Sequence, residues 1–349
     1  MKHNELVDVL LAYGWQMHLS RLKFMSMLLV GLIEAQSVNL KQVVKQIYTE
    51  AAQGSKYRRA QRFMSEMKVN QLSLIAFILN LYPQKTYRLA VDRTNWQFGK
   101  QNINILMIAI VTESNVAIPL VFDLLPKKGN SNTQERIDLL KTVLKVLKPE
   151  QIEVFLADRE FISQTWFAFL EQLKIPFVIR IKQNMLADEW FRLAGFFQNL
   201  DPGQHKVLQH RYLIASLNLA VAAARSSDGN LVIIVTNRKP STALKNYAQR
   251  WQIESLFKAL KSSGFQLEDT HLKDLKRIKT LLALVTIAFT WALLVGQWQH
   301  SIKPIPIKSH GRKEVSVFRY GLDFLHQAFL DLPFDPSRLL QALRFLSCT

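Results

Sequence analysis

The chain has 349 residues, of which 49% are hydrophobic, and its 12 glycines and 11 prolines exclude a fibrous or low-complexity protein. Basic residues outnumber acidic ones by 45 to 27, and the net charge of +18 points first to nucleic acid and second to an anionic membrane surface. Residues 1–86, 87–272 and 273–349 each carry a net charge of +6, which favours a polyanion that spans the whole molecule over a single basic tail.

Metal chemistry based on sulfur or histidine is not expected. The only cysteine, Cys348, leaves no disulfide framework and no cysteine-based zinc site. The eight histidines are scattered and form no His-Glu-x-x-His pair. The first residues lack the apolar run of a signal peptide, so we expect a reducing, cytoplasmic location.

Residues 1–80 are predicted to form a helical module. Segments 18–36, 37–51 and 55–67 have helical spacing, and Asn39 is a plausible N-cap of the second helix. The third helix carries three arginines on a short basic face, and three short helices of this kind resemble a helix-turn-helix. A helical cap with a solvated basic face is the alternative. We favour DNA contact by these arginines, which are Arg58, Arg59 and Arg62.

Residues 85–182 change to the period of β-strands. Apolar, β-branched runs at 87–96, 103–112 and 116–125 predict an antiparallel meander, followed by a helix at 132–148. A strand, a helix and another strand then follow, at 152–161, 162–175 and 176–184. This order predicts an α/β fold with a ribonuclease-H-like mixed sheet flanked by helices.

The remaining chain is divided into three parts. Residues 183–230, with turn signals and a possible strand pair at 205–224, form a predicted insertion before the last catalytic helix. Residues 231–300 contain a strand, a helix from about 242 to 264, and the uncharged stretch 281–296, which is too short for a bilayer and predicts a buried helix. Residues 301–349 are a helical C-terminal segment.

Four functional side chains share one face of the helix at 242–264. At about 100° per residue, Arg250, Glu254 and Lys261 lie about 300°, 340° and 320° around the axis from Tyr247. Apolar residues occupy the adjoining arc. A carboxylate flanked by two cations and a phenol is therefore expected at the rim of the core.

Two further carboxylates end apolar strands, Asp92 in "LAVDRT" and Asp158 in "FLADREF". An acid that closes a buried strand is costly unless it binds a cation or a polar partner. In a ribonuclease-H-like sheet the first and fourth strands are neighbours, so these acids would lie side by side, and Glu254 could complete the group. Each acid alone could instead be a turn, capping or surface-pairing residue. The competing acids are Asp123, Glu160, Asp188 and Asp269.

Three converging carboxylates are hard oxygen ligands suited to two Mg²⁺ or Mn²⁺ ions. Such a pair can activate water or a 3′-hydroxyl and stabilise the leaving oxygen of a phosphodiester. Arg250 and Lys261 would bind flanking phosphates, and Tyr247 would contact a phosphate or stack on a base.

These residues carry a resemblance to the DDE transposases of bacterial insertion sequences, specifically the cut-and-paste group usually numbered four. It depends on "DRTNW", on "ADREF" and on the spacing Tyr-x2-Arg-x3-Glu-x6-Lys, which Tyr247, Arg250, Glu254 and Lys261 meet in full. Similarity in "KYRRAQRF", "PFVIRIK" and "HGRK" extends it over most of the chain.

The resemblance implies binding of double-stranded DNA at terminal inverted repeats and at a target, by a homodimer in a nucleoid-associated synaptic complex without a membrane. Asp92 would bridge both metals, and Asp158 and Glu254 would each hold one. It also implies a tryptophan that stacks on a flipped base. Trp251, Trp291 and Trp298 are candidates, and we favour Trp298.

Two alternatives stay open. A metal-dependent nuclease on the same fold would cut without joining. A DNA-binding regulator derived from a transposase would tolerate the loss of an acid, whereas Asp92, Asp158 and Glu254 are all present here.

Overall fold

In the computed structural model, an eight-stranded mixed sheet lies at the centre of the chain and helices pack around it. Cys348 and the histidine of "HGRK" lie outside the described residues. The structure describes residues 4–12, 15, 17–99, 101–309 and 311–347.

The strand order of the large sheet is β3-β2-β1-β4-β5-β10-β9-β8, and a separate two-stranded sheet pairs β6 with β7. Strands β1, β4 and β5 run parallel to one another, and all other pairings are antiparallel. The predicted meander is therefore confirmed. The strands are β1 Tyr87–Phe98, β2 Gln101–Ile110, β3 Ile118–Leu124, β4 Ile152–Ala157, β5 Phe177–Ile181, β6 Leu186–Ala187, β7 Phe191–Arg192, β8 His205–Ile214, β9 Leu217–Arg225 and β10 Leu231–Thr236.

The segment predicted as an insertion contributes to the central sheet. Its strand pair, expected at 205–224, is the β8–β9 hairpin, and β9 pairs along its length with β10. The small β6–β7 pair precedes it. The hairpin thus extends the core sheet by two strands, because the edge of β10 offers unpaired backbone groups that an antiparallel strand can satisfy.

The helices surround this sheet and agree largely with the expected order. Asn39 caps α3 through a bond from the N–H of Lys41 (3.0 Å). The helix expected to reach residue 148 ends at Leu144, because the Val143 carbonyl accepts from Val146 and Leu147 in a closing turn. The α-helices are α1 Asn4–Ala12, α2 Leu19–Ala35, α3 Leu40–Lys45, α4 Gln53–Glu66, α5 Gln71–Leu81, α6 Thr133–Leu144, α7 Gln164–Gln172, α8 Ala243–Ala248, α9 Trp251–Lys258, α10 Leu275–Ile302, α11 Val317–Asp331 and α12 Ser337–Leu343.

Helix α10 is the centre of the helical layer. It packs against β3 and against helices α2, α4, α5 and α11, so the N-terminal helices share one hydrophobic core with the sheet. Among the described residues it is the one helix whose length and mean hydropathy of 2.1 would suffice to cross a membrane, but 94% of its most apolar window is buried within the protein. The predicted buried helix at 281–296 is confirmed.

Two glycines let α10 and α11 touch backbone to backbone. A Cβ on Gly296 would lie 1.9 Å from the carbonyl oxygen of Val317, and a Cβ on Gly321 would lie 1.8 Å from that of Ala292. At the start of α11, the Phe318 ring covers Gly264, which ends the helical segment that carries Glu254. The close helix pair therefore supports the segment from which the site is built.

We expect Gly321→Ala to lower the free energy of unfolding by about 3 kcal/mol or more, because the added methyl group must push two packed backbones apart. Urea denaturation measures this. The matched control is Gly195→Ala, where an added Cβ meets open space and which should change stability by less than about 1 kcal/mol. Equal midpoints for the two variants would contradict the close contact.

Candidate active site

The site lies where the parallel strands β1 and β4 run side by side. Val91 pairs with Ala157, so Asp92 and Asp158 follow at the same level of the sheet. Strand β4 ends at Ala157, whereas β1 continues to Phe98 beside β2. The adjacency of the two predicted acids is therefore observed, and both side chains are mostly buried, with 19% and 29% of their surface exposed.

The periodicity of the segment that carries the Tyr-Arg-Glu-Lys residues predicts one regular helix, but the structure shows an interrupted one. It consists of α8, a tight turn in which the Arg250 N–H bonds to the Tyr247 carbonyl, then α9, and then one π-helical stretch at Ala259–Ser263. All four side chains nevertheless contact one another or the region of β1 and β4. A wide π turn of this kind often accompanies a functional site.

Arg250 joins two of the three acids. Its Nη1 donates to Asp92 Oδ2 (3.1 Å) and its Nη2 donates to Glu254 Oε1 (2.6 Å), and the residue is only 1% exposed. Its Nε has no hydrogen-bond partner among the described residues. Burial disfavours the charge, but Tyr247, Asp92 and Glu254 outweigh it and raise the pKa of Arg250. The guanidinium is therefore a permanent internal cation.

Burial is also the largest influence on the pKa of Asp92. It raises the pKa of Asp92 to about 6, against the lowering effects of the Arg93 N–H and of Arg250, while the charges of Glu254 and Asp158 raise the pKa further. The Arg93 N–H donates to Asp92 Oδ1 (2.7 Å). The three carboxylates are thus close enough to interact electrostatically, as a shared pocket requires.

Tyr247 connects the third acid to this group. Its hydroxyl donates to Asp158 Oδ1 (3.3 Å), and burial raises the pKa of Tyr247 to about 12, so the phenol stays protonated. The guanidinium of Arg180 lies 3.8 Å from the same carboxylate oxygen. Each of the three predicted acids therefore has a cation or a hydroxyl as a direct partner.

The donor set suits a hard divalent cation, since three carboxylates supply only oxygen ligands. However, no group of three or more His, Cys, Asp or Glu side chains in the described part of the chain is arranged to hold a metal ion. The physical reason is Arg250, whose guanidinium lies between Asp92 and Glu254. The carboxylates converge on an arginine, and the predicted metal pocket is not preformed.

A family model assigns the part of the chain that contains this site. The family model described as the transposase DDE domain matches residues 83–291, which contain all three acids. The chain belongs to the transposase DDE domain family. Membership supports a transposase function and implies an enzyme that cleaves nucleic acid.

Other comparisons add little to this domain assignment. No curated protein is significantly similar to the chain. Among solved structures, the chain is similar to the one titled "Cryo-EM structure of piggyBac transposase synaptic complex with hairpin DNA (SNHP)", with a TM-score of 0.49 and 9% identity over 99% of this chain and 83% of that one.

The side chains predicted to contact DNA from the transposase domain point inward. Tyr247 and Arg250 are buried, and Lys261 donates to the Asn95 carbonyl (2.8 Å) and pairs with Glu268 (2.9 Å). Their contact with DNA phosphates stays a prediction, because in the protein without DNA all three bond to groups of the protein itself. A cluster of carboxylates attracts the nearest cations and donors when no other ligand is present.

The other predicted DNA contacts have mixed surroundings. Arg58, Arg59 and Arg62 are exposed on α4, but the Arg59 guanidinium lies 4.3 Å above the Phe24 ring. Trp298 is half-buried, with its ring centre 5.6 Å from that of Phe324 and 5.5 Å from that of Phe345. Trp291 is fully buried, whereas Trp251, beside Arg250, is 56% exposed.

Glu160, the main competing acid, belongs to a different network. Because β4 ends at Ala157, Glu160 is not part of the strand, and the two-residue period of a strand does not place it on the same side as Asp158. It pairs with Arg93 (3.1 Å) and accepts from the N–H and hydroxyl of Ser131 (both 3.1 Å). Asp123 pairs with Lys279 (3.0 Å), and Asp188 accepts from the Leu213 N–H (2.7 Å). These three acids stabilise local structure.

The sequence reasoning missed Gln252, which locks α9 onto the sheet. Its side-chain amide accepts from the Thr112 N–H (2.9 Å) and donates to the Thr112 carbonyl (2.8 Å), and it is buried. Its own carbonyl accepts from the Ala117 N–H (3.2 Å). One signal was present, because Gln252 lies about 40° from Leu256, beside the apolar arc of the helix.

We expect Gln252→Ala to lower the free energy of unfolding by about 2–4 kcal/mol, since it removes two buried hydrogen bonds and leaves both Thr112 backbone groups without partners. Chemical denaturation measures this. Gln134→Ala, at an exposed amide that bonds to Asp138, is the control and should change stability by less than about 1 kcal/mol. A neutral Gln252→Ala would show that other contacts position the helix.

Proposed function

We propose that this protein is a DNA transposase that cleaves DNA at transposon ends and joins those ends to a target, by a cut-and-paste route. The observation that carries this proposal is the convergence of Asp92, Asp158 and Glu254 around Arg250 at one sheet edge. The order of the first five strands, with Asp92 on β1 and Asp158 directly after β4, supports a ribonuclease-H-like catalytic core. The Tyr-Arg-Glu-Lys spacing supports membership of the insertion-sequence group numbered four.

The donor set fits two Mg²⁺ or Mn²⁺ ions once the guanidinium of Arg250 has left the carboxylates. Asp92, Asp158 and Glu254 would hold them, and bound ions would supply activation of a water or 3′-hydroxyl and stabilisation of the leaving oxygen. The burial that raises the pKa of Asp92 also makes a nearby cation more effective than it would be in water.

DNA supplies the partner that Arg250 needs to leave the acids. A buried guanidinium does not exchange two carboxylates for water. A phosphate, however, is also negatively charged and offers the guanidinium a bidentate site. We propose that Arg250 exchanges Asp92 and Glu254 for a DNA phosphate, and that the released carboxylates then bind metal. Tyr247 and Lys261 would take part in the same rearrangement.

The positive charge on α4 supports a DNA-binding role for the N-terminal helices. Arg58 and Arg62 are exposed, and we propose that they contact the terminal inverted repeats of the transposon. A homodimer would hold two such ends together, in the cytoplasm at the nucleoid. A stacking role for Trp298 would require its release from Phe324 and Phe345.

The first test uses DNA that carries the gene with its flanking sequences, incubated with the protein, target plasmid and Mg²⁺. We expect cleaved ends and joined products, both abolished by a chelator. Asp92→Asn, Asp158→Asn and Glu254→Gln should each lower the rate of cleavage at least about a hundredfold, since loss of a ligand costs at least as much as loss of its supporting partner.

The matched control is Asp123→Asn, which changes an exposed acid to its amide and should retain cleavage. Cut ends without joining would favour the nuclease alternative. DNA binding with no cleavage by the unaltered protein would favour the regulator. Full activity of all three acid variants would exclude this catalytic site.

A second test addresses the internal cation. Without DNA, we expect Arg250→Ala to bind Mn²⁺ at least about tenfold more tightly than the unaltered protein, because the competing positive charge next to the carboxylates is gone. Titration followed by electron paramagnetic resonance measures the free Mn²⁺. Cleavage of DNA by the same variant should fall.

Arg338→Ala serves as the control, because it removes an equal charge from a surface pair with Asp331 and should leave Mn²⁺ binding unchanged. Equal Mn²⁺ affinity in Arg250→Ala and the unaltered protein would contradict the exchange of arginine for metal.

A further inference from the structure

A cleft opens beside Asp158. It encloses about 700 Å³ and lies between the ends of β4 and β5 and the first residues after β5. The two strands are parallel, with Ala157 opposite Ile179, so the residues that follow each strand meet at one edge. Three cations line this cleft, namely Arg159, Arg180 and Lys182.

The acids in the cleft do not neutralise these cations. Glu160 is paired with Arg93, and Asp158 lies 3.8 Å from Arg180. Arg159 and Lys182 are both exposed, and their side chains make no hydrogen bond, ion pair or ring contact with any residue in the described part of the chain. Two exposed cations that line the cleft therefore have no side-chain partner in the described part of the chain.

These two cations contrast with the predicted phosphate ligands. Arg250 and Lys261 already have carboxylate partners inside the protein, whereas Arg159 and Lys182 do not. Arg159 follows Asp158 directly in the chain, so a ligand held in the cleft lies next to a proposed catalytic acid. The ligand chemistry that fits is an anion with charges spaced along a chain, which is the backbone of a nucleic acid.

We propose that Arg159 and Lys182 form a phosphate subsite for the DNA strand that passes Asp158. This inference rests on the proposed function and deepens it, because it assigns the strand a path across the ends of β4 and β5. Arg180 is not assigned to the subsite, because its guanidinium lies 3.8 Å from Asp158 Oδ1. The strand would thus be held before Arg250 exchanges its partners.

The test compares the double variant Arg159→Ala, Lys182→Ala with the double variant Lys145→Ala, Lys148→Ala. Both remove two exposed cations, but the second pair lies beyond the opposite end of α6 from the cleft. Fluorescence anisotropy with duplex DNA carrying the gene's flanking ends measures affinity over a range of salt. We expect the cleft variant to lose about tenfold in affinity per cation, and its log–log salt slope to be shallower by about 2.

A second arm replaces single phosphates near the cleavage position with uncharged methylphosphonates. At one or two linkages, the substitution should weaken binding by the unaltered protein and by the lysine control, but not by the cleft variant. A single variant, Lys182→Arg, keeps both positive charges and should remain sensitive to the methylphosphonate linkages. Equal affinity, salt slope and linkage sensitivity in the cleft variant and its control would overturn the subsite.

The two proposals fail in different ways. Cleavage by the unaltered protein together with an unchanged cleft variant would reject the subsite and keep the enzyme. A linkage-specific loss of affinity in the unaltered protein that is absent from the cleft variant, with no cleavage by the unaltered protein, would keep the subsite and reject the transposase activity.

Discussion

The arrangement of the site depends on one buried guanidinium. Three acidic side chains within electrostatic reach of one another at a sheet edge repel, and burial adds the cost of removing each charge from water. Arg250 offsets this by bonding Asp92 and Glu254 at once, from a position that is 1% exposed. The fold can therefore keep a group of carboxylates assembled in the absence of metal or DNA, which a pocket of acids alone could not do.

The irregular helix is the means by which Arg250 and Tyr247 reach the acids of two neighbouring strands. The tight turn between α8 and α9 places Tyr247 next to Asp158 and Arg250 next to Asp92. Gln252 then holds α9 to the β2–β3 connection, and the π-helical stretch beyond it brings Lys261 to the backbone of β1. A regular helix would keep the four side chains in line but would not match the positions of the partners on the sheet.

Much of this was predictable from sequence where the signal is local. Acids expected at strand ends and the Tyr-Arg-Glu-Lys spacing predicted that Asp92, Asp158 and Glu254 lie together, and apolar, β-branched runs predicted β1 to β5. The backbone contact at Gly296 and Gly321 was not predictable, because it depends on two helices meeting from distant parts of the chain. The inward orientation of Arg250 was missed for a related reason: periodicity gives the face of a helix but not the partner opposite it.

The positive charges of the chain consequently fall into two classes with different roles. Internal cations such as Arg250 are fixed by carboxylates and contribute little to the field that attracts a polyanion, since their charge is neutralised at contact distance. Exposed cations such as Arg62, Arg159 and Lys182 extend into solvent and raise the local potential. Under the proposed function, the net charge of +18 attracts DNA to the surface. In the exchange proposed above, the internal pairs then determine whether the carboxylates become available, because Arg250 holds two of them until a ligand replaces them.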